Sequence, residues 1–290
     1  MTAYVHIGKH KTGTTTIQNF MAKNYEILKE KGFVFAKSAT FNNQHLPFVD
    51  ILNSLADAND IKNLNYEDNW VFKAFKKEIN ENPNKIFIFS SEEFSLRSNR
   101  EKSVKILKEM LKKLGFTEIK IIIYLRNQAD SMVSVSSQSI KHGHHPAYKV
   151  PATNDNNIFF NYKQAVSNYL NTFSKENIIV KLFDKNEFYE GDLIKDFLHI
   201  LGLKLDDSFI IPLNQNETLD LIGFELGERI ENLCKEPYSH FKSRFGLGSH
   251  IALSLHLQAK DPSLKFMPKK EIYESYITYF EESNEWVRKE

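Results

Sequence analysis

YVHIGKHKTGTTTIQ, residues 4–18, decides the fold. A short apolar run over 4–8 gives way to a Gly/Thr-rich turn, and beyond it Ile17, Phe20, Met21, Ile27 and Leu28 recur at near-helical spacing, so the stretch reads as strand, loop, helix. That places residues 8–16 at the opening of a helix, where backbone N–H groups and the helix dipole face an incoming anion. Gly8 and Gly13 let the backbone curl around a phosphate, the hydroxyls of Thr12, Thr14, Thr15 and Thr16 are donors, and Lys11 adds a positive charge. A turn that used Gly and Thr for capping alone would need neither two lysines nor four hydroxyls at one helix start.

Outward from this loop the chain keeps alternating. Gly32 sits where a helix would end, and GFVFA (32–36) starts a second short strand. Residues 41–83 read as interrupted helix, stopped by Pro83. KIFIFS (85–90) is a buried-strand pattern ending in polar SSEE, and Val104, Leu107, Met110, Leu111 and Leu114 mark one face of a helix closed by Gly115. IKIIIYL (119–125) has the continuous apolar character of a parallel strand covered on both faces, and is expected to be the central strand. Helices follow over 128–140 and 161–174, with a further strand at 178–183. Strands alternating with helices predict a P-loop NTPase-like α/β fold, a three-layer sandwich with a central, mostly parallel sheet. The final hundred residues read as helices and loops around that sheet, and no linker divides the chain, so one domain over 1–290 is expected.

Composition narrows the function classes. Hydrophobic residues make up 41% and charged residues 26%, and no stretch approaches the roughly 20 apolar residues of a membrane helix. The N-terminal segment lacks a secretion signal, and the one cysteine, Cys234, reads as a buried thiol, so a cytoplasmic protein is expected. With 38 basic against 37 acidic residues, the surface has no broad field to attract nucleic acid, and anion binding must be local.

A nucleotide triphosphatase loop carries Gly-Lys-Ser/Thr, with the lysine directly after the last glycine and the hydroxyl on magnesium. Here Thr14 follows Gly13 and Lys11 lies two residues before it. HIGKHKTGTTTIQ (6–18) instead resembles the 5′-phosphosulfate loop of sulfotransferases that use 3′-phosphoadenosine-5′-phosphosulfate (PAPS). The resemblance implies that Lys11 contacts the bridging oxygen of the donor and that Thr12, Gly13, Thr14 and Thr15 bind its 5′-phosphate. Some relatives stack an aromatic on adenine after the loop threonines. This chain has Thr16 there, which leaves the adenine contact unassigned.

A second motif supports the first. In YLRNQADSMVSVSS (124–137), Arg126 ends a strand and Ser134 follows eight positions later on a helix, so fork and hydroxyl can grip one phosphate. The pair resembles the family's 3′-phosphate motif. Residues 161–185 and 192–203 further resemble the helix–strand unit and next helix of bacterial carbohydrate sulfotransferases, which implies transfer to a hydroxyl or amine of an acceptor, a carbohydrate in those relatives, with PAP as product. HFKSRFGLGS (240–249) is similar in place to a loop that closes over the nucleotide in relatives, through Lys242 and Arg244.

Sulfuryl transfer also needs a base. Glu92 and Glu93 directly follow a buried strand, where α/β sites form, and adjacent side chains point different ways, so at most one faces the acceptor. His45 is the competing base, as an imidazole that is neutral near pH 7. His142, His144 and His145 lack a second ligand group, so no metal is expected. Two other readings stand beside transfer: a small-molecule or nucleoside kinase using the loop for ATP, and a non-catalytic nucleotide-binding module.

Overall fold

The computed structural model describes residues 1–57, 66–141, 160–212, 219–233 and 263–290. Five strands, β1 (Thr2–His6), β2 (Phe33–Phe35), β3 (Ile86–Ser90), β4 (Glu118–Leu125) and β5 (Ile178–Leu182), form one sheet in the order β2-β3-β1-β4-β5. Every pair is parallel. The helices described between β1 and β4 are α1 (Thr14–Lys23), α2 (Tyr25–Glu30), α3 (Leu46–Asp57), α4 (Trp70–Glu81), α5 (Glu93–Leu96) and α6 (Glu101–Lys113). Beyond β4 come α7 (Gln128–Lys141), α8 (Tyr162–Leu170), α9 (Leu193–Ile200), α10 (Leu221–Leu233) and α11 (Lys270–Lys289).

Strand side chains alternate between faces, and here both faces are covered. Val5, Phe87, Phe89, Ile121 and Ile123 pack on one side with apolar residues of α3, α4, α6 and α8. Tyr4, Ile88, Ile122 and Tyr124 pack on the other with Ile17 and Phe20 of α1 and Phe197 and Leu198 of α9. This is the three-layer P-loop-like sandwich expected. The middle strand, however, is β1 and not β4, which lies between β1 and β5. An apolar run reports that a strand is covered on both faces and flanked on both edges; it does not report how many strands lie beyond.

Local chemistry sets the element ends. Asn69 caps α4 by accepting from the Val71 N–H, and Asp192 caps α9 by accepting from Ile194 and Lys195. Gly115, at φ +97°, ends α6, with its N–H on the Lys112 carbonyl and that of Phe116 on Leu111.

The chain divides into two compact units, one of Met1–Arg126, Asn161–Leu213 and Trp286–Glu290, the other of Asn127–Phe160 and Asn214–Glu285. Nothing in the linker-free sequence marks this division, because each unit is assembled from separated stretches of chain. The first holds the whole sheet. In the second, Ala129, Met132 and Val133 of α7 pack with Phe160 and with Tyr276 and Phe280 of α11, and Gln128 and Asn284 exchange amide hydrogen bonds of 2.6 and 3.0 Å. No described helix is long and apolar enough to cross a membrane.

Candidate functional site

In this strand order the chain leaves β1 toward β2 on one side and leaves β4 toward β5 on the other, so the carboxyl ends of β1 and β4 border a topological switch point, where open α/β sheets bind ligands. The segment after β1 is the Gly/Thr loop, and the residue after β4 is Arg126. The two meet: Arg126 Nη1 donates to the Lys11 carbonyl at 3.3 Å. The guanidinium stands over the Phe183 ring, 5.6 Å from its centroid, and the Tyr162 hydroxyl donates to the Arg126 carbonyl.

The loop is held in a left-handed path at Gly8 (φ +26°), Lys11 (φ +65°) and Gly13 (φ +72°). Gly13 has no room for a side chain, since a Cβ would fall on Leu193 Cδ2 and 3.0 Å from Phe183 Cε2. The Thr12 hydroxyl points inward and donates to the Lys9 carbonyl at 2.7 Å, and the Thr14 hydroxyl reaches the same carbonyl at 3.4 Å. These two hydroxyls therefore shape the loop. Thr15 is exposed and Thr16 half-buried. α1 opens on Gly13 with no side-chain cap and no acid in its first turn, so its own sequence leaves the first N–H groups uncapped.

Lys9 and Lys11 belong to this loop, and Arg126 reaches it from the end of β4. Lys11 is half-buried; burial lowers its pKa, Glu92 pulls it back up and Arg126 pushes it further down. Lys9 is only 1% exposed, with its ammonium 5.8 Å from the Tyr162 centroid, and burial brings its pKa down to about 7. The set fits a dianionic phosphate ester: left-handed backbone, an uncapped helix start, and the charges of Lys11 and Arg126.

The acids after β3 lie beside this loop. Glu92 Oε1 is 3.2 Å from His10 Nδ1. Glu93 heads α5, and its pKa is raised by burial first, with His10 and Arg97 working against Glu92 and Asp50. Among the described residues, His10, Glu92 and Glu93 form a group that could share a metal ion, with one ligand atom from each within 4.8 Å of the others.

His45 requires a correction. It is 0% exposed, Nδ1 accepts from the Ser90 N–H at 2.9 Å, and Nε2 donates to the Ala36 carbonyl at 2.8 Å. Burial lowers its pKa to about 4. Both nitrogens are spent on backbone, so His45 pins β2 and α3 to β3 and has no lone pair to offer an acceptor. His6 plays a similar buried part, with Nδ1 2.9 Å from Ser90 Oγ, which also accepts from Gln18 at 3.1 Å.

Ser134 lies on α7, buried. Lys242, Arg244, His142, His144, His145 and Cys234 lie outside the described residues. Sequence reasoning missed His10 and Lys9 as site residues. Their signal was position inside the anion loop, but charge alone does not say which lysine is buried or which acid a histidine meets.

The switch-point loop places this chain in the P-loop-like class of α/β proteins. Within that class, residues 4–195 match the sulfotransferase domain, and the chain belongs to that family. A protein of Archaeoglobus fulgidus described as uncharacterized is 28% identical over 193 residues, covering 63% of this chain and 50% of the relative. The chain thus spans about half the length of the curated relative it matches. Among solved structures, a sulfotransferase from Alicyclobacillus acidocaldarius aligns at 14% identity with a TM-score of 0.41, covering 90% of this chain and 96% of that one. The sulfotransferase domain from the curacin biosynthetic pathway aligns at 9% identity with a TM-score of 0.42, covering 96% of each chain.

Proposed function

We propose that this protein transfers a sulfuryl group from PAPS to a hydroxyl of a carbohydrate acceptor and releases PAP. The observation that carries the reading is the meeting of Lys11 and Arg126 at the switch point, over an uncapped helix start. In this reading the backbone of Thr12 to Thr15 and the start of α1 hold the 5′-phosphate, while Arg126, with Ser134 as its motif partner, takes the 3′-phosphate that distinguishes PAPS from ATP.

The reaction forms a bond from the acceptor oxygen to sulfur as the bond from sulfur to the 5′-phosphate oxygen breaks. Lys11 stands against the charge that grows on the departing phosphate, which helps more in the transition state than before it. The acceptor proton passes to a carboxylate. Glu93 is favoured over Glu92, because burial raises its affinity for a proton while Glu92 stays beside His10 and Lys11. The carbohydrate assignment is supported by the resemblance of residues 161–185 and 192–203 to bacterial carbohydrate sulfotransferases.

One observation favours a second reading. The His10, Glu92 and Glu93 group could hold a divalent cation next to the loop, as a kinase acting on ATP would require. Isothermal titration with PAP and with ATP, each with and without magnesium, separates the two. Micromolar PAP binding that Arg126→Ala weakens at least tenfold, with ATP much poorer, is the expected result. ATP bound more tightly than PAP when magnesium is present would overturn it.

A further inference from the structure

The segment joining β2 to α3 runs off the same carboxyl edge of the parallel sheet as the phosphate loop and the acids after β3. It makes a tight reversal at Phe41–Gln44, with reciprocal backbone hydrogen bonds of 2.8 and 2.9 Å. The two central residues, Asn42 (φ +49°) and Asn43 (φ +61°), are both left-handed, as a type I′ turn requires. Ala39 just before them also sits at φ +57°, a conformation that alanine adopts only where its surroundings impose it.

Those surroundings are visible. Asn43 Nδ2 donates to Asn19 Oδ1 on α1 at 3.1 Å, Ala39 packs against the core, and the reversal ends at His45, whose N–H donates to the Ser90 carbonyl at 3.0 Å. This rigid turn presents Phe41, at 61% the most exposed large apolar side chain among the described residues. The turn geometry asks for no aromatic at that position. Asn42 beside it is exposed, Gln44 is half-buried, and residues 38–44 carry no charged side chain.

We infer that the Phe41–Gln44 turn is a binding platform for a neutral sugar ring, with Phe41 stacking on its C–H face and the Asn42 and Gln44 carboxamides meeting its hydroxyls. An aromatic face can cover apolar C–H area, and carboxamides both donate and accept, as hydroxyls do. A fixed platform loses little conformational freedom on binding. His45, which ends the turn, is tied to Ser90 at the end of β3, two residues before Glu92. The platform rests on the sulfotransferase reading only where it calls that sugar the acceptor.

The test uses the full chain and two independent readouts. Saturation-transfer NMR with cellobiose, maltose and N-acetyllactosamine as probes reports sugar binding without turnover, and titration with PAP reports the donor site. Phe41→Ala is expected to weaken binding of at least one disaccharide roughly tenfold, the loss of one aromatic contact. Its PAP affinity should stay within twofold of wild type, a range that stands for unchanged binding. Phe41→Trp is expected to restore sugar binding, which a collapsed turn would not allow. With labelled PAPS, a disaccharide that is sulfated should show a raised KM in Phe41→Ala at nearly constant kcat. Equal sugar binding by wild type and Phe41→Ala, or no binding of any of the three sugars by wild type, would overturn the platform. Sugar binding that depends on Phe41 in a protein that binds no PAP would keep the platform and sink the donor assignment.

Discussion

Lys11 separates what the loop does for stability from what it does for transfer. Its backbone sits at φ +65°, where a residue with a Cβ is strained by about 1–2 kcal/mol and glycine is not. Glycine returns about 0.5–1 kcal/mol of that through its greater freedom in the unfolded chain. Lys11→Gly and Lys11→Ala both lose the ammonium, so the difference between them isolates the backbone. Lys11→Gly should be the more stable by about 1 kcal/mol, roughly 2–4 °C in Tm for a domain of this size. Both should lose about 10²–10³ in the rate of sulfuryl transfer, the usual consequence of removing one group that stabilises transition-state charge. Thermal unfolding followed by circular dichroism gives the first quantity, and single-turnover transfer from labelled PAPS gives the second. An alanine variant as stable as the glycine variant would refute the left-handed strain at Lys11. Transfer by either variant within tenfold of wild type would refute its role against the departing phosphate.

Gly13→Ala should destabilise by about 1–2 kcal/mol from its positive φ and a further 1–3 from displacing Leu193 and Phe183, seen as a lower urea midpoint at unchanged slope. His45 and His6 are buried with pKa values lowered to about 4 and about 3, below the ordinary 6.5 of the unfolded chain. The unfolded state therefore binds protons first, and their contribution, present above about pH 6.5, is lost as pH falls from there through 4 and 3, on the order of 3 kcal/mol for His45 and 5 kcal/mol for His6. Urea midpoints that stay level between about pH 7 and about pH 4 would contradict this. Glu93→Gln should slow transfer by about 10²–10⁴, with Glu92→Gln the milder change. The reverse order in single-turnover rates would make Glu92 the base.

Much of the fold was legible because it depends on local pattern. The alternation of apolar strands with amphipathic helices is written in runs such as KIFIFS and in the stripe from Val104 to Leu114, and those elements form at 86–90 and 101–113. The position of β4 was not legible, since strand order depends on which crossovers skip a neighbour. The division into two units was hidden for a related reason, that each collects distant stretches of chain.

The same boundary runs through the candidate site. Sequence by itself determined that a Gly/Thr/Lys loop opens a helix after the first strand and that an arginine ends a later one, because backbone conformation and anion chemistry are local properties. Only the tertiary structure decided the environments. It buried His45 against Ser90, 45 residues away, set Glu92 beside His10 at the ends of the paired strands β3 and β1, and brought Arg126 to the carbonyl of Lys11. Whether a side chain can act as a base or hold a charge depends on its burial and its partners, and those come from residues far apart in the chain.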